Sequence, residues 1–157
     1  MIKLNIRNID RINRRLMGIE KKAKKNVAKV VKSTAADMEN NIVREMRLSP
    51  ASGARYGRHI ASASGNAPRI DHGDLVNAVK TRISRLRSTS ATIGVHAGER
   101  DRDGNNLAER AYWLEVGTSR MDPRPVYGPT MRKFRGKFEN DVRKAIKQAL
   151  KQARRIK

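Results

Sequence analysis

Apolar side chains recur along this chain with two periods, and the changes of period divide it into elements. Ile2, Leu4 and Ile6 alternate with Lys3 and Asn5, the pattern of a short half-buried strand. Ile12, Leu16, Ile19, Ala23, Val27, Val30, Met38, Ile42 and Met46 then step mostly by three and four, which is one apolar stripe of a helix. With Asn8 or Asp10 as its cap, this helix is predicted over residues 9–47, weakened at Gly18 and with a tolerable kink at Ser33-Thr34. Val79, Thr81 and Ile83 alternate with Lys80, Arg82 and Ser84. Ala91, Ile93 and Val95 alternate again beyond the polar turn Arg87-Ser88-Thr89-Ser90, so the two runs predict an antiparallel hairpin. Met131, Phe134, Phe138, Val142, Ile146, Leu150 and Ala153 step by three or four and predict a second amphipathic helix.

The stretches between have no period. Residues 48–74 are rich in Gly, Ser, Ala and Pro and read as a long loop. Ordering a backbone costs about 1–2 kcal/mol per residue, more than this composition can offset alone. The loop is therefore expected to order against a neighbouring subunit, with Tyr56, Ile60, Pro68, Ile70, Gly73 and Leu75 as contacts. Gly98 to Asn106 forms a second loop, Leu107 to Ser119 a short helical or extended run, and residues 121–129 are punctuated by proline. The expected fold is α+β in one domain, residues 1–157: a small antiparallel sheet packed on two long amphipathic helices.

Charge changes the picture more than hydrophobicity does. The formal net charge is +21, from 36 Lys and Arg against 15 Asp and Glu. Residues 1–48 hold 13 bases and 5 acids, and residues 130–157 hold 11 and 2, whereas the long middle holds 12 and 8. The excess thus lies on the polar faces of the two helices. An ordinary solvated face mixes both signs, so a polyanionic partner is expected. Lys21, Lys22, Lys25 and Lys29, with Arg143, Lys144, Lys147, Lys151, Arg154 and Arg155, are the residues expected to face DNA phosphates. No helix-turn-helix or zinc-finger pattern accompanies them, so the contact is expected to be non-specific.

Catalytic chemistry finds little support. His59, His72 and His96 lack metal-ligand spacing, and there is no cysteine to join them. Asp101, Asp103, Asn105 and Glu109 resemble a calcium loop only faintly: Gly104 comes too early, and Tyr112 stands where the closing glutamate belongs. Gly53, Gly57 and Gly65 are not followed by the Lys and Ser or Thr of a phosphate cradle, and Ser52, Ser62 and Ser64 lack a nucleophile elbow. No catalytic residue, cofactor or metal is expected, and the reading is of a non-enzyme. No apolar run approaches a membrane span, and the N-terminus lacks a signal-peptide core, so no membrane partner is expected.

Two segments carry a family resemblance. One runs from Ser52-Gly53 and Tyr56 through Ala61-Ser62-Ala63-Ser64-Gly65-Asn66-Ala67-Pro68 to Asp71, Gly73, Leu75 and Val79. The other is Ala111-Tyr112-Trp113-Leu114-Glu115-Val116-Gly117-Thr118, with Met121, Pro123-Arg124-Pro125 and Pro129. In this order and spacing they resemble the tailed-phage tail-component family, also called gene-product-ten-like or neck protein, similar in role to lambdoid minor tail protein Z. The chain departs at Ala111-Tyr112, where the family more often has Tyr-Ala, and at His72, where it often has Thr. The resemblance implies a structural virion protein, assembled in the host cytoplasm. It would form a ring at the head–tail neck or top of the tail, hexameric in first place and dodecameric otherwise. Head-closure, tail-terminator or tail-tube proteins would flank it, and genome DNA would pass through. It also implies that Tyr112, Glu115, Gly117, Thr118, Pro123 and Pro125 shape loops and subunit contacts. The competing expectation is a basic, non-specific nucleic-acid-binding or packaging accessory protein acting as a monomer or dimer. Gly73 and Gly117 are expected at positive φ in tight turns.

Overall fold

The computed structural model describes residues 6–84 and 89–154, with side chains over 12–84 and 89–152. Helix α1, Ile6–Leu48, runs as one continuous helix through Gly18 and Ser33-Thr34. At 1.5 Å per residue it is ~64 Å long. The strand expected at residues 2–6 falls outside the described residues except for Ile6, which begins the helix. Next come a two-residue hairpin, β1 (Arg55–Tyr56) and β2 (His59–Ile60), and a single helical turn, α2 (Asp74–Ala78). The main hairpin follows as β3 (Val79–Ile83) and β4 (Ala91–Val95), paired antiparallel from Val79 opposite Val95 to Ile83 opposite Ala91. These strand limits are the ones the alternation predicts. Helix α3 spans Leu107–Val116, and α4 spans Tyr127–Arg154. The fold class is α+β, with two separate two-stranded antiparallel sheets among the described residues.

The two long helices lie antiparallel. Asn41 on α1 donates to the Thr130 hydroxyl at 3.1 Å, and Asn26 donates to the Ala145 carbonyl at 3.4 Å. Asn41, Thr34 and Thr130 are buried, so the seam is partly polar. Lys133 and Arg44 both donate to the Asn41 side-chain oxygen, at 2.8 and 3.2 Å. An amide satisfied at both ends fixes the register, because a slip of one turn would leave it buried without partners. The β3–β4 hairpin packs chiefly on α1, where the Thr81 hydroxyl donates to the Ala35 carbonyl at 3.3 Å. The hairpin also meets the start of α4, where Tyr127 packs in one cluster with Ile93 and Val95, so the expected sheet packed on two long helices is found.

The core gathers Ile42 and Met46 of α1, Val76, Val79 and Val126. Ala67 and Ile70 of the long loop pack against it, and Ala61 and Ser62 are buried. The loop, expected to order against a neighbouring subunit, thus already has some contacts within its own chain. Its apolar residues are few and small, but the loop folds back on α1 and α2 and shares a core that larger residues build. Tyr56 and Arg69 of the loop are exposed.

On α4 the stripe residues Phe134, Phe138 and Val142 are half-buried, and the buried face departs from the expected stripe beyond Val142. Ala145 and Ala149 are buried at 4% and 0% exposure, while Ile146 and Leu150 stand out at 41% and 46%. Small residues let helix axes approach closely, and that approach turns the neighbouring large residues outward. Replacing Ala149 by Leu is accordingly expected to cost about 1–3 kcal/mol by overpacking, and Ile146→Ala clearly less. Denaturant midpoints of the two variants measure this, and the opposite order would put the larger residues in the seam.

Candidate functional site

The two motif segments lie far apart in sequence and come together around one charged clasp. Helix α3 begins at Asn106, whose side chain accepts from the Ala108 and Glu109 amides, and ends at Gly117 with φ 81° and ψ 177°. That conformation is open only to glycine. An added Cβ there would meet the Met121 carbonyl oxygen at 2.9 Å and the Pro123 ring at 3.1 Å. The chain then turns back through Thr118 and Met121, which exchange backbone hydrogen bonds. The turn brings Glu115 to the start of α4. Its carboxylate accepts from the amides of Val126, Tyr127 and Gly128, at 2.8, 3.0 and 2.7 Å. These amides have no partner inside the helix, and the helix dipole favours an anion there. Helix α4 therefore starts at Tyr127, four residues before the expected point, with Pro129 tolerated in its first turn. Burial, with Glu115 nearby, pushes the Tyr127 phenol up to about 12.

Arg124 joins this turn to the first motif. Its Nε donates to the Ser62 carbonyl at 2.9 Å, its amide donates to Leu114, and the Gly65 amide donates to the Pro123 carbonyl at 2.9 Å. Gly53 packs so tightly on the same segment that an added Cβ would lie 2.3 Å from the Ser62 oxygen. The expected positive φ at Gly73 and Gly117 is found, 89° and 81°. Of the motif residues, Glu115, Gly117, Thr118, Pro123 and Arg124 are thus tied into one backbone framework, whereas Tyr112 is exposed. Sequence reasoning leaves Arg124 out of the site residues. Its position between two prolines of the motif is the available signal.

Beside this framework lies a cleft of about 590 Å³, lined among others by Tyr56, His59, Pro68, Ile70, Asp71, Gly73, Leu75, Asp103, Glu109 and Trp113. The expected loop contacts other than Ile60 therefore line one hollow. His59 Nδ1 and His72 Nε2 stand 3.5 and 3.6 Å from the two oxygens of Asp71, too far for good hydrogen bonds. Among the described residues the buried Ser62 hydroxyl has no hydrogen-bond partner, nor does Nε2 of His96. Asp101, the first acid of the calcium-like loop, is engaged within its own loop. It accepts from the Asp103 and Asn105 amides at 3.0 and 2.8 Å, from the Asn105 side chain at 3.1 Å and from Arg110 at 3.3 Å. Among the described residues no group of three or more His, Cys, Asp or Glu could hold a metal ion.

The basic residues collect at the far end of the helix pair. The Asn26–Ala145 contact sets Lys21–Lys29 level with Arg143–Lys151, so the two basic segments lie alongside each other. Lys21, Lys25, Lys29, Arg143, Lys144, Lys147 and Lys151 are exposed and Lys22 is half-buried. Lys144 reaches Asp141 at 3.8 Å, and the others form no ion pair among the described residues. Arg154 ends α4 with its side chain not described, and Arg155 lies outside the described residues. No helix among the described residues is long and apolar enough to cross a membrane.

No protein-family model, curated protein or solved structure matches this chain.

Removing the clasp leaves three amides at a partly buried helix start without an acceptor. Glu115→Ala is expected to lower stability by about 1–3 kcal/mol, with Glu115→Gln, which keeps one acceptor, falling between. Thermal unfolding measures it, and an unchanged Ala variant would deny the clasp its role. The pH dependence centres on Asp101 and Asp74. The Asn105 side-chain hydrogen bond, then backbone amides and Arg110, hold Asp101 below the usual carboxylate range. The Arg102 hydrogen bond does the same for Asp74. Since the folded pKa lies below the unfolded value, both contribute stability above about pH 4 and lose it as pH falls through the folded value. Asp101→Asn is expected to flatten that acid limb in a pH series of unfolding midpoints.

Proposed function

We propose that this chain is a structural virion subunit that forms a ring at the head–tail neck or the top of the tail of a tailed phage. The ring completes the tail and joins it to the DNA-filled head, with DNA passing along its basic faces. Six copies are the first expectation for the ring and twelve the second. The observation that carries the reading is the separation of two surfaces along α1. At one end the motif residues commit their polar groups to holding backbone, with Glu115 and Arg124 turned onto amides and carbonyls. At the other end, Lys21–Lys29 and Arg143–Lys151 form a cationic surface with few acids beside it. A framework that shapes loops suits a subunit contact, and a single-sign surface suits a polyanion. The resemblance of both motif segments to the tail-component family supports the same reading.

The second reading is a basic nucleic-acid-binding or packaging accessory protein, favoured by the same cationic surface without any need for a ring. Labelled antibody on purified virions and native particle mass separate the two. The neck reading requires the protein in the virion near the head–tail junction and fails if antibody never finds it there. For the charge, Lys25, Lys147 and Lys151 together changed to Glu are expected to leave assembly intact and impair DNA retention. In solution the slope of log binding constant against log salt should become shallower by ~0.9 for each phosphate no longer neutralised. If the triple variant instead stops the tail attaching while DNA binding is unchanged, the basic face meets protein.

A further inference from the structure

Helix α1 carries an uncovered surface at its N-terminal end. Ile12, Leu16 and Met17 are exposed at 56%, 57% and 69%. The register set by Asn26–Ala145 and Asn41–Thr130 brings Arg154, the last described residue of α4, only level with Met17. The surrounding sequence, Arg11 to Ile19, holds three arginines and no acid. This arm combines exposed apolar residues with a basic sequence.

The cleft at the other end of α1 has the opposite character. In a chain of net charge +21, its lining contains Asp71, Asp74, Asp101, Asp103 and Glu109 against three arginines. Each of those arginines is engaged within the chain: Arg69, exposed, on the Ile60 carbonyl, Arg110, half exposed, on Asp101, and Arg124 on the Ser62 carbonyl. Asp103 and Glu109 have no ion-pair partner among the described residues. Trp113 and Tyr56 line the same cleft and remain 45% and 58% exposed. Aromatics at the edge of a hollow are frequent anchors of protein contacts. This chain is 4% aromatic and leaves its one tryptophan outside.

We infer that the α1 arm of one copy docks in the cleft of the next, with Leu16 and its neighbours against Trp113 and Tyr56 and the arginines against Asp103 and Glu109. The arm cannot reach its own cleft. Met46 lines the cleft, and Leu16 lies thirty residues earlier on the same unbroken helix, ~45 Å away. The two complementary surfaces sit at opposite ends of one rigid rod, so only a second copy can bring them together. Such a contact is heterologous: each copy gives an arm and receives one, and the repeat closes into a ring or runs on as a filament. The inference rests on the ring reading and specifies its contact.

The experiment uses the full chain and two exposed-site variants, Leu16→Asp for the arm and Glu109→Lys for the cleft, with Trp113→Ala as a second cleft variant. Circular dichroism checks that helix content is kept. In analytical ultracentrifugation, wild type is expected to form oligomers and each variant to fall to the 17.7 kDa monomer. Mixing the variants is decisive. Leu16→Asp keeps an intact cleft and Glu109→Lys an intact arm, so an equimolar mixture should give one-to-one dimers and nothing larger. Variants that oligomerise like wild type, or a mixture that stays monomeric, overturn the docking. So does a wild-type chain that stays monomeric up to millimolar concentration. Rings that persist in all the variants sink the docking and leave the ring reading standing. Absence from virions sinks the ring reading, whatever the ultracentrifuge finds.

Discussion

Everything at the motif end of the molecule depends on one carboxylate. Glu115 sits near the end of α3 and closes on the first three amides available at α4. It is at once the anion that the helix dipole favours and the fastener between two elements. Without it, the direction in which α4 leaves the turn would rest on the prolines and on Val126 in the core. With it, the turn from Gly117 to Pro125 is held at both ends, and Arg124 is aimed at the long loop. The motif therefore has a physical content. Glycine permits the reversal, glutamate anchors the next helix, and arginine pins the loop that carries the first motif.

The helix pair is held by another kind of constraint. Its seam is not a row of large apolar side chains. Alanines bring the axes close near Ala145 and Ala149, and Asn41 with Thr130 makes a buried polar contact nearer the core. Close approach supplies packing and the amide supplies register. A polar group whose partners exist in only one alignment disfavours the alternatives more than it stabilises the observed one.

Where periodicity is strong, the fold is legible in the sequence. The hairpin at 79–83 and 91–95 follows directly from alternation, and the apolar stripe places α1 to within three residues at its start and one at its end. The outward turn of Ile146 and Leu150 is not legible, because a stripe of large residues does not say which face has a partner. Only the approach of α1 reveals that beyond Val142 the buried positions are Ala145 and Ala149. The start of α4 is hidden because its cap lies twelve residues upstream at Glu115, outside any local capping pattern. The gathering of Lys21–Lys29 with Arg143–Lys151 is half legible: the charge is visible, but its convergence needs the antiparallel register. The intrachain contacts of the long loop are not legible for a similar reason. Its own composition is too poor to order it, yet Ala67 and Ile70 borrow a core built by Met46, Val76 and Val79.

The unbroken run of α1 also sets a phase. A straight helix couples distance to rotation: each added residue moves the far end by ~1.5 Å and turns it by ~100°. The lysines at 21–29 and the core residues Ile42 and Met46 keep their mutual orientation only because the residues between them number what they do. One residue inserted near Ser33 would swing the cationic face a quarter-turn or more away from its partner segment on α4 while barely lengthening the rod. Seven residues would restore its azimuth to within ~20° and move the surface outward by about two turns. Length in this element is therefore free to vary only in steps of whole turns, and the helix behaves as a protractor as much as a ruler.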